Sequence, residues 1–120
     1  MQIQILRSDD AVTHVALSGR LDVDGVQEVS DQFVFATAPR GIATVVDLSQ
    51  VAFVASLGIS MLISVAHALR PRGARMVLCG ANQMVHKTLA AAGIPRLMPI
   101  VPTVEDALHE LKVDSHDEHG

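Results

Sequence analysis

Ser56 is the residue whose type and setting could most readily do chemistry. It sits in Val54-Ala55-Ser56-Leu57-Gly58, just before Ile59, Leu62, Ile63, Ala66 and Leu69, which recur at helical spacing. A serine there falls at or next to a helix N-cap, and capping alone would account for it. The same position suits a modified serine, because a phosphate on its hydroxyl would face free backbone amides at the positive end of the helix dipole. It would add roughly −1.5 to −2 charges to a surface loop, enough to dismiss or recruit a partner that docks there.

Other chemistries find little support. His14, His67, His86, His109, His116 and His119 are scattered, and only the last pair is close in sequence, so no metal site is expected. No Gly-x-Ser-x-Gly turn surrounds Ser56, and no Gly-x-x-x-x-Gly-Lys loop exists to hold nucleotide phosphates. Neither a catalytic role nor a cofactor is therefore expected. Cys79, the one cysteine, lies in the apolar run Met76-Val77-Leu78-Cys79 and fits a small buried thiol in a reducing compartment. Nine Lys and Arg against 13 Asp and Glu leave a net charge of −4, and there is no Trp or Tyr to stack on bases, which argues against nucleic acid.

The elements that must position Ser56 follow from periodicity. At 120 residues, 49% hydrophobic and with mean hydropathy +0.35, the chain suits one domain, 1–112, ahead of a polar, disordered tail, 113–120. Ile3 and Ile5, then Val15 and Leu17, alternate with polar or small residues around Ser8-Asp9-Asp10, which predicts an antiparallel hairpin. Val26, Val29, Phe33 and Ala36 predict a helix capped by Asp24 and ended by Pro39-Arg40-Gly41. A buried strand is expected over Ile42–Leu48 with Asp47 at its carboxyl end, followed by a loop through Ala52 and Phe53. After the Ser56 helix, a strand over Arg75–Cys79, a helix capped by Asn82 and closed by Gly93, an edge strand over Leu97–Val101 and a helix opened by Thr103 complete the order. Strands joined by single helices imply parallel pairing, hence an α/β domain with a mixed sheet of about five strands and four helices.

Residues 51–69 carry no formal charge and are long enough to be taken for a membrane span. Ser56 and Gly58 interrupt that stretch, and Ser60, Ser64 and His67 form a mildly polar stripe, so a helix of a cytoplasmic protein is expected instead. With Ile59, Leu62, Ile63, Ala66 and Leu69 inward, the outer face would show Ser60, Met61, Ser64, Val65 and His67, a surface suited to docking another protein. The alternative is that the chain's own loops, or a second copy in a homodimer, cover it.

Three segments together carry a resemblance. Leu17-Ser18-Gly19-Arg20-Leu21-Asp22, Val46-Asp47-Leu48-Ser49 and Phe53-Val54-Ala55-Ser56-Leu57-Gly58-Ile59 resemble the hallmark segments of STAS domains, in order along nearly the whole chain. The resemblance implies an anti-sigma factor antagonist of a partner-switching pathway. Such an antagonist binds an anti-sigma factor that is itself a serine kinase, is inactivated by phosphorylation of one serine, and is restored by a serine phosphatase. The family serine corresponds to Ser56 and the family aspartate to Asp22, in a neighbouring loop. Ala55 and Leu57 depart from the commoner Asp-Ser-Ser/Thr-Gly pattern, while Ser56 and Gly58 match it. A rival reading is a constitutive STAS subunit of a stress-signalling assembly or lipid-transport ATPase complex, and a third is a nucleotide- or lipid-binding domain.

Overall fold

Apolar alternation near the N-terminus and β-branched runs further in build one five-stranded sheet, ordered β1-β2-β3-β4-β5. Strand β1 (Gln2–Ser8) pairs antiparallel with β2 (Thr13–Leu21), and β3 (Thr44–Val54), β4 (Met76–Cys79) and β5 (Ile100–Val101) continue in parallel. Helices α1 (Val23–Thr37), α2 (Ser56–Leu69) and α3 (Gln83–Ala91) connect the parallel strands, and α4 (Val104–His119) follows β5. The computed structural model describes residues 1–119, with side chains through Lys112. Among the described residues the expected α/β domain of five strands and four α-helices is therefore present; the expected tail, 113–120, lies outside the described side chains.

The sheet is buried on both faces where the sequence is most continuously apolar. Val15, Leu17, Val46, Leu48 and Leu78 pack with Phe33 of α1, Leu62 and Leu69 of α2 and Leu89 of α3. On the other face Val45, Val77 and Cys79 pack with Ala107 of α4. Strands β3 and β4 thus lie between two apolar layers, which is why they show no alternation. Each of the Val, Leu and Phe side chains among them, fully buried, stabilises the fold by ~1.5–3 kcal/mol. Cys79 is the core thiol expected: burial, reinforced by the Asp47 carboxylate, pushes it up to about 12.

Local chemistry fixes the turns. The Asp9 carboxylate accepts from the backbone N–H groups of Ala11 and Val12 and from Arg7 Nε, closing the β1–β2 hairpin. These donors, Arg7 foremost, hold its pKa at about 2. Asn82 caps α3 by accepting from Val85 N–H at 2.8 Å, and Thr103 Oγ1 accepts from Asp106 N–H at 3.1 Å, as expected. Gly93 ends α3 in the left-handed region, φ 81°.

Three expectations require correction. Strand β3 does not stop at Asp47–Leu48: it stays paired with β2 through Ser18–Gln50 and Leu21–Val54, so Ala52 and Phe53 are strand residues. Ser49 and Gln50 occupy solvent-facing positions of that strand, and their polarity does not mark a turn. Helix α1 is capped by Asp22, and Asp24 falls in its first turn. The edge strand is only Ile100–Val101, because Ile94–Arg96, containing Pro95, forms a 3-10 turn after Gly93. Among the described residues no helix is long and apolar enough to cross a membrane.

Candidate functional site

Strand register sets the site. Leu21 and Val54 pair at the carboxyl ends of β2 and β3, so the chain leaves both strands at one level and begins α1 and α2 side by side. Ala55 N–H donates to the Leu21 carbonyl at 2.9 Å, tying the two corners together. A side chain at Gly58 would place its Cβ 2.9 Å from both Leu21 Cβ and the Leu21 carbonyl oxygen. Glycine is thus what lets the first turn of α2 approach β2 so closely.

The two corners differ in chemistry. At the first, Asp22 Oδ1 accepts from Gly25 N–H at 2.9 Å and Oδ2 from Arg20 Nε at 3.4 Å. The Gly25 hydrogen bond, with help from Arg20, lowers the Asp22 pKa and keeps the carboxylate charged. The Arg20 guanidinium lies 4.4 Å from the centre of the Phe53 ring, joining β2 to β3 beneath these corners.

At the second corner the N-cap is Ala55, no side chain caps the helix, and no acidic residue lies in its first turn. Ser56 is the first helical residue and is exposed. It is therefore beside the cap rather than the cap itself, and it leaves the first-turn amides of α2 without a side-chain acceptor. Leu57 follows it, exposed, and Val23 opens α1 in the same way.

Along α2 the expected outer face holds only in part. Ser60, Ser64 and His67 are exposed, but Met61 and Val65 are 6% and 1% exposed and belong to the core, so they are withdrawn from the docking surface. The buried line runs through Gly58, Met61, Leu62, Val65 and Leu69. Seating Gly58 against Leu21 turns the helix, so that Ile59, Ile63 and Ala66 become its half-buried flank. The signal was Gly58: residues three, four, seven and eleven positions after a close-contact glycine share its face. Arg20, Phe53 and Val23 also belong to this region and were not singled out from sequence; the ordered segments that contain Arg20 and Phe53 were the available signal.

Nothing else among the described residues converges comparably. Among the described residues no group of three or more His, Cys, Asp and Glu side chains could hold a metal ion, while His116 and His119 lie outside the described side chains. A groove of about 560 Å³ lies between α4 and the β1–β2 hairpin, lined in part by Arg7, Glu105 and Lys112, and shares no residue with the Ser56 corner.

Comparison with known proteins points the same way. Residues 5–102 match the family described as "Mlab, STAS domain". An anti-sigma F factor antagonist from Paenibacillus polymyxa is 31% identical over 117 residues, covering 96% of this chain and all of that one. The crystal structure of an anti-sigma factor antagonist from Mycobacterium paratuberculosis, 25% identical, superposes with a TM-score of 0.78 over 92% of this chain and 95% of the other. The antagonist SpoIIAA shares the fold at 17% identity in its unphosphorylated form, with a TM-score of 0.77 over 92% and 96% of the two chains. Its Bacillus phosphorylated form superposes at 0.68, with 16% identity over 92% and 99%. The match over residues 5–102, with a relative 31% identical along nearly the whole chain, makes this chain a member of the STAS domain family.

Proposed function

We propose that this protein is an anti-sigma factor antagonist: it binds an anti-sigma factor that is also a serine kinase, through the Ser56 corner and the exposed face of α2. Phosphorylation of Ser56 switches that contact off, and a serine phosphatase restores it. One observation carries the reading: Ser56 is an exposed hydroxyl at the start of a helix whose cap position is alanine. A phosphate there meets backbone N–H groups with no competing side-chain acceptor and can be accommodated without unfolding the corner. It also places negative charge beside Leu57, Ser60, Ser64 and His67, an exposed surface without Asp, Glu, Lys or Arg, and so changes what can dock there. The role is regulatory rather than catalytic.

Ala55 and Leu57 favour a second reading, because they remove the acidic and hydroxyl neighbours of the commoner family pattern. In that reading the same face is a permanent contact within a larger complex. A pull-down with the cognate anti-sigma factor separates the two. The switch requires Ser56→Ala to retain capture and Ser56→Asp to weaken it at least tenfold. Equal capture by both variants, with the partner co-purifying throughout, would establish the permanent subunit instead.

A further inference from the structure

Strand β1 ends the sheet on one side, and among the described residues no strand pairs with its outer edge. It has seven residues, contains no proline or lysine, and carries one charge, Arg7, already bonded to Asp9 at 2.6 Å. Natural edges are usually shortened, charged or covered; this one is bent by a bulge between Ile5 and Arg7, but Ile5 and Leu6 remain 46% and 47% exposed. Above it, the outer side of α1 presents Phe35, one of three phenylalanines in the chain, at 80% exposure. Beside Phe35 runs a groove of about 400 Å³ between Ile5 of β1 and Ala36 and Pro39 beyond it. An aromatic knob and a mainly apolar groove therefore occupy one surface.

We infer that this edge is a two-fold interface on which the occupant is a second copy of this chain, with β1 pairing antiparallel to its counterpart and α1 packing against α1. A two-fold contact must be self-complementary, and here the knob and the groove that receives it lie side by side. The spacing agrees. Helix α1 packs over β1 and β2, so strands paired at about 4.8 Å would bring the two α1 axes to roughly 10 Å, an ordinary helix-packing distance. Charge agrees as well. Helix α1 carries Asp24, Glu28 and Asp31 but no basic residue, and Arg40 follows in the turn after it. Arg40, whose Nε donates to Thr13 Oγ1 at 3.0 Å and which also donates to the Asp9 carbonyl, follows Phe35 by five residues. Antiparallel placement about Phe35 sets its remaining guanidinium N–H donors opposite Asp31 of the second copy, four residues before that copy's Phe35. The Ser56 corner follows β3, two strands inward, and stays open in both copies.

Sedimentation of the full chain over a range of concentrations tests this, alongside Phe35→Asp and, as a surface control, Leu57→Asp, each checked for native fold by circular dichroism. The expected result is twice the 12.8 kDa chain mass for the wild type and Leu57→Asp, with dissociation at least tenfold easier for Phe35→Asp. Monomer mass for the wild type throughout overturns the proposal, as does a Phe35→Asp protein that dimerises as tightly. If the wild type is monomeric and Phe35→Asp instead loses capture of the anti-sigma factor, the edge serves a different protein and the second copy is excluded.

Discussion

Asp22 and Ser56 stand at adjacent corners of the sheet and use their side chains in opposite ways. The Asp22 carboxylate is committed to the α1 cap and to Arg20, which makes it an anchor of the corner. The Ser56 hydroxyl has no capping duty, which leaves it available for modification. Motif order alone put these two residues near each other; that one caps and the other does not depends on where each helix begins. A separate residue-scale effect concerns His14, whose buried Nε2 has no hydrogen-bond partner among the described residues. Burial, with the Arg7 charge, lowers its pKa from 6.5 against the opposing pull of Asp47. The folded state therefore binds fewer protons than the unfolded chain, so stability falls as pH drops from about 6.5 toward the lower folded value. Urea unfolding should show a midpoint decreasing between pH 7 and 5, with a shallower decrease in His14→Gln. An identical pH dependence in the two proteins would assign the effect to other groups.

At the scale of elements, α2 is a helix with an unused cap. Replacing Ala55 by Ser supplies an acceptor for the first-turn amides and should raise stability by about 0.5–2 kcal/mol in chemical unfolding, with no gain expected if those amides were already satisfied. The existence of α2 was plain from Ile59, Leu62, Ile63, Ala66 and Leu69, yet which side faced inward was not. Nearly every residue from Leu57 to Leu69 is apolar or small, so periodicity leaves the azimuth open by about a residue. The Gly58–Leu21 contact decides it, burying Met61 and Val65 while exposing Ser60, Ser64 and His67. Similarly, polar Ser49 and Gln50 resemble a turn in the sequence, and only pairing with β2 carries the strand on to Val54.

For the whole molecule, the order of elements and the parallel sheet were legible because each helix and strand differs in period from its neighbours and because crossover connections leave few topologies. The two surfaces of interest were legible to different degrees. The Ser56 corner lies within contiguous motifs, whereas the β1–α1 edge joins Ile5 to Phe35, thirty residues apart in sequence, and exists only after folding. If both surfaces act as proposed, a dimer presents two switchable corners while its pairing edge stays clear of them, and phosphorylation should leave the dimer intact. The central claim is that Ser56 is a switch. It is tested most directly by intact-mass spectrometry of the protein isolated from its own cells under growth and stress, with peptide mapping across residues 54–70. One phosphate on Ser56, present in one condition and diminished in the other, is the result this account predicts. An unmodified Ser56 in both conditions, and after incubation with the cognate kinase and ATP, would contradict it.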